Sequence, residues 1–255
     1  MIDIHPPAHG AMTRRDFFIH LSIVVLGILI AIGLEQAVEQ VHERFLLRTF
    51  RAELHQEREA NRRDLEIDVR FWQFATAEFR DNLAVFEYLR RHPHASNDSL
   101  RDTLHWTQYA FRSEHAVWDG AQQNGLVRLM PIDEANRNLN FYQTIASISQ
   151  QSLDTWNADN NAHRFDLVDR DPTHLSPQQL DESIALTEIT LEKHIQQGYT
   201  MALLASRFDD MPQTITYDDL EVLRSLPLPL DPPAIIASHQ HTTALSDAIE
   251  NGTRP

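Results

Sequence analysis

Residues 17–34 read FFIHLSIVVLGILIAIGL, eighteen residues without a formal charge. Arg14, Arg15 and Asp16 precede this stretch, and Glu35 follows it. As an α-helix the stretch is about 27 Å long, close to the ~30 Å hydrocarbon core of a bilayer. The sequence therefore predicts a membrane-spanning helix over 17–34, with the lipid bilayer as a partner and a short tail, 1–16, on one side.

Two other interpretations of this stretch remain open. A cleavable signal peptide has a basic start, an apolar run of about 7–15 residues and a small-x-small cleavage site. Arg14, Arg15 and Ala31-Ile32-Gly33 fit parts of that pattern, but the run is longer and the helical pattern continues past the site. A buried core helix would carry a polar stripe, and His20 and Ser22 are the only polar side chains here. We therefore favour the spanning helix.

Basic residues near the ends of the span predict its orientation. Arg14 and Arg15 favour a cytoplasmic N-terminus and an exported C-terminal part, because cytoplasmic flanks are enriched in Lys and Arg. Arg44, Arg48 and Arg51 follow the span within twenty residues and oppose that assignment. We expect the N-terminus inside and the remainder in the periplasm.

Composition predicts an all-α fold and excludes several functions. The 255 residues include seven glycines and no cysteine, so disulfides and thiolate metal sites are excluded. Val, Ile and Thr do not form the alternating runs typical of strands. The net charge of −15 is concentrated after residue 91, where 23 acidic and 10 basic residues give −13. Nucleic acid is not an expected partner, because binding it requires a basic surface.

The pattern of helix signals divides the chain. No proline occurs between Arg14 and Arg91, which predicts one long helix or two nearly collinear ones, with residues 35–91 close to the membrane. A kink or break is expected in the polar run QEREANRRD at 56–64. On each side of it, apolar residues recur every three or four positions. They are Leu34, Val38, Val41 and Phe45, then Leu65, Val69, Trp72, Phe79, Leu83 and Phe86.

A helical bundle is predicted over 97–225, and a Pro-rich connector with a C-terminal helix over 226–255. Capping residues set the expected helices of the bundle. These run from Asn97 or Ser99 to about Phe111, from Ser113 to Asn124-Gly125, from Pro131 or Asp133 to about Arg170, and from Ser176-Pro177 to about Phe208. A short helix is expected from Thr216 with Asp219, then an extended Leu226–Pro233 segment and a final helix over Ala234–Glu250.

Two segments carry a resemblance to a known group. The span contains Gly27-Ile28-Leu29-Ile30-Ala31, and a later segment contains Trp118, Ala121, Asn124 and Gly125. Together they resemble bacterial single-pass membrane proteins with a domain of unknown function, an N-terminal helix ending like GVLIAL, and a Trp-x-x-Ala-x-x-(Ser/Asn)-Gly segment. This resemblance implies a bacterial inner-membrane protein and implies no chemistry. Read physically, the Trp118 segment favours packing over ligand binding, with a ligand-binding corner at Asn124-Gly125 as the alternative.

The sequence contains none of the common catalytic or metal-binding motifs. The fourteen histidines include two His-x-His pairs, but no His-Glu-x-x-His motif, and we expect them to be exposed side chains without a ligand role. Asp209-Asp210 and Asp218-Asp219 are expected to be solvated caps and loops. No phosphate loop, Gly-x-Ser-x-Gly elbow or cysteine nucleophile is present. The sequence predicts no enzymatic activity, no cofactor and no metal site.

Small residues in the span suggest a protein partner. Gly27-x-x-x-Ala31 is a small-x-x-x-small pair, which allows two membrane helices to approach closely. The apolar positions from Leu34 onward extend this pattern beyond the bilayer. We therefore expect a membrane-anchored interaction or scaffold protein that binds itself or another membrane protein. The alternative is a periplasmic ligand-sensing or hydrolytic domain, with a pocket bounded by Trp118, Asn124 and Trp156.

Overall fold

A computed structural model describes residues 14–93, 98–101, 103–107, 109–165, 171–208, 211 and 215–250. Within these residues the protein is all-α, as predicted, and contains no strand. The helices are α1 (Arg14–Arg91), α2 (Ala116–Gln123), α3 (Ile132–Ala162), α4 (Pro177–Ala205), α5 (Tyr217–Ser225) and α6 (Pro232–Glu250). Three short 3-10 turns, Asp98–Leu100, Leu126–Leu129 and Pro172–His174, join them.

α1 is one uninterrupted helix of 78 residues, about 117 Å long. The predicted break at 56–64 is wrong. Two polar residues of that run, Glu57 and Asn61, are buried and make hydrogen bonds to backbone groups of another segment. The polar run is therefore part of an interface inside the protein.

The helical domain forms around the second half of α1. α4 packs against α1 on one side and α3 on the other, and α6 packs against the C-terminal part of α1. One apolar cluster includes Leu65, Trp72, Phe141 and Met201, and a second includes Phe86, Leu180, Ile184 and Ile235. Gly198 permits the close approach of α4 to α1, because a Cβ atom there would lie 2.5 Å from the Trp72 ring.

Residues 103–107 and 109–115 form neither helix nor strand, so the predicted helix from Asn97 or Ser99 to Phe111 is wrong beyond the 3-10 turn. Side chains of α1 bind the backbone of this segment. The Asn61 amide donates to the Glu114 carbonyl and accepts from the Glu114 N–H, both at 2.7 Å. Asn82 makes the same pair of bonds with His105, at 2.6 and 3.2 Å. These bonds replace the ones that a helix would make internally.

Several predicted helix ends are correct and others are shifted. Ser176 and Thr216 each form a capping box, with Gln179 and Asp219 respectively. Gly125 follows α2 in the left-handed conformation, with φ 69°. Ser113 does not cap α2, which begins at Ala116. α3 ends at Ala162, well before Arg170; residues 166–170, Asn97 and Asp209-Asp210 lie outside the described part of the chain.

Candidate functional site

The apolar start of α1 meets the length and composition of a membrane-spanning helix. It is the one such candidate among the described residues, with a mean hydropathy of 2.7 over its best window and no burial within the protein. A Cβ atom added at Gly27 would meet nothing within 4 Å beyond its own helix, and Ala31 is exposed. The described part of the chain covers neither the helix face of these two small residues nor any other face of this apolar stretch.

That face continues out of the apolar stretch without a change of register. Gly27, Ala31, Leu34, Val38, Val41 and Phe45 are separated by four, three, four, three and four residues, and we call these six positions the seam. Side chains at such positions form one stripe along a helix. Val38, Val41 and Phe45 are 69%, 66% and 66% exposed, although they lie beyond the end of the apolar stretch.

The seam points away from the protein's own domain. Leu47 packs against the main apolar cluster and Phe50 belongs to it, whereas Phe45 is exposed. Glu43 and Leu46 are half-buried on the same side as Leu47. One side of α1 near residue 45 therefore contacts its own chain, and the seam side contacts nothing in the described residues.

The Trp118 segment is organised by a carboxylate from α1. Glu57 accepts hydrogen bonds from the N–H groups of Val117 at 2.7 Å and Trp118 at 3.3 Å, and from the Tyr142 hydroxyl at 2.6 Å. His115 supplies no side-chain cap at the start of α2, so Glu57 caps this helix from another element. Burial, and then the bond to Glu57, raises the pKa of Tyr142.

Trp118 and Ala121 are buried core residues, whereas Asn124 is exposed. The Trp118 ring stacks on Tyr142 with 5.2 Å between ring centroids. A cavity of about 420 Å³ lies beside this pair, and its lining includes Leu139, Ile145 and Leu153 but neither Asn124 nor Trp156. The pocket expected from Trp118, Asn124 and Trp156 is not the one that forms here.

A second cavity, of about 460 Å³, is lined mainly by basic side chains, and we call it the basic cavity. Its basic side chains come from three parts of the chain: Arg51, His55 and Arg58 on α1, Arg137 on α3, and Arg207 just after α4. Leu54, Asn138 and Phe141 form its buried floor. Glu134 is the acidic side chain in its lining.

Contacts within the basic cavity hold two of its guanidinium groups. Arg51 donates to both carboxylate oxygens of Glu134, at 2.8 and 2.5 Å, and this pairing lowers the pKa of Glu134. The Arg58 guanidinium carbon lies 4.2 Å from the centroid of the Phe141 ring, a cation-π contact. Arg137 and Arg207 have no carboxylate within ion-pairing distance among the described residues.

The basic cavity is not predicted by the sequence patterns above. Arg44, Arg48 and Arg51 are neighbours on one side of the helix after the span. The same spacing of three or four residues continues to His55 and Arg58. This spacing could have indicated that the row of basic side chains extends to the part of α1 that lines the cavity. Arg137 and Arg207 join it only through the packing of α3 and α4, so no sequence spacing connects them.

Polar groups are also buried between α1, α3 and α4. His194 and Asp159 form a buried pair, with 3.3 Å between His194 Nε2 and a carboxylate oxygen, and His163 is buried nearby against Phe79. The expectation that all histidines are exposed is therefore wrong for these two. The described residues contain no group of three or more metal-ligating side chains arranged to hold an ion.

Two buried carboxyl groups of α1 bind the non-helical segment before α2. Asp68 accepts a hydrogen bond from the Arg112 N–H at 3.1 Å, and burial raises the pKa of Asp68 to about 7. Burial likewise raises the pKa of Glu78 to about 7, opposed by its hydrogen bonds with Thr107. Burial therefore favours the protonated form of both carboxyl groups.

Comparisons with known proteins give no match: no family model, no curated protein and no solved structure is significantly similar to this chain.

Proposed function

We propose that this protein is a membrane-anchored helical interaction protein, an accessory or assembly subunit, and that its seam pairs with the seam of a second copy. The observation that carries the proposal is the exposure of Val38, Val41 and Phe45 beyond the apolar stretch of α1. Complete burial of a side chain of this size contributes about 1.5–3 kcal/mol. A second copy would supply that burial symmetrically.

The spacing of the seam supports a parallel pair of helices. Alternation of four and three residues is the heptad pattern of a coiled coil, and Gly27 and Ala31 suit the close contact of helices within a bilayer. Two copies inserted in the same orientation have parallel α1 helices. The seam positions of the two helices can then face each other without interruption from Gly27, within the membrane, to Phe45.

Charges beside the seam are compatible with this pairing. In a parallel coiled coil with Val38 at a first core position, Ala37 faces His42 of the other helix and Arg44 faces Thr49. No like-charged pair is opposed there. The next core position is Arg48, and the pairing of the two helices would end there. Leu47 and Phe50, on another side of α1, pack against the apolar cluster of their own domain.

Orientation and location belong to the same proposal. Arg14 and Arg15 support a cytoplasmic N-terminus, and the acidic domain then lies in the periplasm of a bacterial inner membrane. In this arrangement the paired α1 helices hold two acidic domains at a fixed distance from the bilayer. That geometry suits a scaffold that other membrane or periplasmic proteins bind.

The mass of the full-length protein in mild detergent tests the proposal. Light scattering should give twice the chain mass of 29.4 kDa for the native sequence and the single mass for Val41→Ser/Phe45→Ser. The control, Ile67→Ser/Ile132→Ser, removes two exposed apolar side chains outside the seam and should remain dimeric. A monomeric native protein, or equal dimerisation of the two double variants, would contradict the proposal.

A further inference from the structure

We propose that the basic cavity binds a soluble anion that carries at least two carboxylate or phosphate groups. This inference goes beyond the pairing of the seam, because the cavity lies within one chain, where α1, the start of α3 and the end of α4 meet. Four arginines and one histidine contribute to its lining, against one glutamate. Such a local excess of positive charge is unusual in a chain with a net charge of −15.

The one glutamate of the cavity pairs with Arg51, so the guanidinium groups of Arg137 and Arg207 remain for a ligand. Glu134 already accepts hydrogen bonds from two nitrogen atoms of Arg51, Nε and Nη2. Arg137 and Arg207 have exposed side chains and no hydrogen bond or ion pair from their guanidinium groups among the described residues. A guanidinium presents a planar fork that matches a carboxylate or a phosphate. Two such groups, one on α3 and one just after α4, line the same cavity and suit an anion with two charged ends.

The floor of the cavity adds a buried polar contact. Asn138 is 7% exposed, and its amide nitrogen donates to the Met130 sulfur at 3.8 Å, a weak partner. Its amide oxygen accepts only a long bond from Arg58, at 3.5 Å. A ligand oxygen would be a stronger acceptor for the Asn138 amide than a thioether sulfur is.

The volume of the cavity and the aromatic ring beneath Arg58 also favour a small molecule over a single ion as the ligand. The volume of about 460 Å³ lies in the range of ~300–1,000 Å³ that is typical of small-ligand sites. Phe141 is buried beneath Arg58, with 4.2 Å between the ring centroid and the guanidinium carbon. This contact supports the Arg58 guanidinium from below, while its N–H groups donate long bonds to Asn138 Oδ1 and the Arg207 carbonyl, both at 3.5 Å.

Distance from the bilayer favours a soluble ligand over a lipid headgroup. Arg51 lies seventeen residues after Leu34, which is about 26 Å along the helix axis. Even a helix tilted by about 40° keeps the cavity about 20 Å above the end of the apolar stretch. Headgroups extend only about 5–8 Å beyond the hydrocarbon core on each side.

Calorimetric titration of the full-length protein with pyrophosphate, and separately with citrate, tests the proposal. We expect at least one of these anions to bind, and we expect Arg137→Gln/Arg207→Gln to weaken that binding at least about tenfold. The matched control, Arg63→Gln/Arg128→Gln, removes the same charge from exposed positions outside the cavity and should bind as the native protein does. Binding of neither anion, or equal weakening in both double variants, would overturn the proposal.

Two further measurements use the native sequence. The bound anion should protect Arg137 and Arg207, but not Arg63 and Arg128, from modification by phenylglyoxal; equal modification with and without the anion would overturn the site. Titration in nanodiscs of phosphatidylcholine, with and without phosphatidylglycerol, should give the same affinity. Loss of anion binding in the phosphatidylglycerol discs would assign the cavity to a lipid headgroup and overturn the soluble ligand.

Discussion

The Tyr142 hydroxyl on α3 donates a hydrogen bond to the Glu57 carboxylate on α1, with 2.6 Å between the two oxygens. The same carboxylate accepts the N–H groups of Val117 and Trp118 at the start of α2. One buried side chain therefore joins three helices and fixes the Trp118 ring against Tyr142.

Replacement of Glu57 should destabilise the domain more than replacement of its partner does. We expect Glu57→Ala to lower the free energy of unfolding by about 3 kcal/mol, because three buried donors lose their acceptor. Tyr142→Phe should cost about 1.5 kcal/mol, because one charge-assisted bond is lost. Thermal melting of the full-length protein in detergent measures both, with the exposed Glu53→Ala as the control. Equal melting temperatures for Glu57→Ala and Glu53→Ala would contradict this role.

Burial of Asp68 predicts a pH-dependent stability. Its pKa is about 7 in the folded protein and about 3.9 in an unfolded chain, so folding favours the protonated form. Stability should therefore fall as the pH rises from about 4 to about 7. Asp68→Asn retains an acceptor for the Arg112 N–H and should gain about 2 kcal/mol relative to the native protein between pH 5 and pH 8. Melting curves at the two pH values measure this gain, and the exposed Asp154→Asn should not show it.

Two glycines within helices should respond oppositely to alanine. At Gly198 a Cβ atom would lie 2.5 Å from the Trp72 ring and 2.7 Å from Leu220, so Gly198→Ala should cost about 1–3 kcal/mol. Gly120 has no atom within 4 Å of that position, and Gly120→Ala should stabilise α2 by about 0.5–1 kcal/mol. Denaturation of both variants distinguishes the two sites. A neutral Gly198→Ala would show that α1 and α4 are not in such close contact.

Small residues in the span should control association without affecting insertion. Gly27→Leu/Ala31→Leu enlarges two seam positions within the apolar stretch, so the helices can no longer approach closely. We expect normal membrane insertion and a reduced dimer fraction in crosslinked membranes. The control, Val25→Leu/Ile32→Leu, changes two residues outside the seam without creating a pair of small residues and should leave the dimer fraction unchanged. An unchanged dimer fraction in Gly27→Leu/Ala31→Leu would show that Gly27 and Ala31 do not contribute to association and that the span only anchors the protein in the membrane.

Local sequence signals predict the helices but not how the domain is held together. Gly125, Ser176 and Thr216 mark helix ends because capping depends on residues within one turn. The non-helical segment before α2 could not be predicted in this way. Its backbone partners, Asn61 and Asn82, are supplied by α1 from 23 to 53 residues away.

The same limit explains why a break is wrongly predicted in α1. A run of polar residues at 56–64 resembles an exposed hinge when its partners are unknown. Glu57 and Asn61 are instead the buried acceptor and donor for another segment. The basic cavity depends in a similar way on Arg137 and Arg207, which line it together with Arg58 only in the folded chain.

Disulfide crosslinking in native membranes tests the central claim, the pairing of two α1 helices along the seam, most directly. The chain has no cysteine, so a single cysteine reports one position. Val38 lies on the seam, and Gln36 lies on the opposite side of the helix at nearly the same depth. We expect Val38→Cys to form a disulfide-linked dimer on mild oxidation and Gln36→Cys to remain monomeric. Equal crosslinking at the two positions, or none at Val38→Cys, would contradict the account.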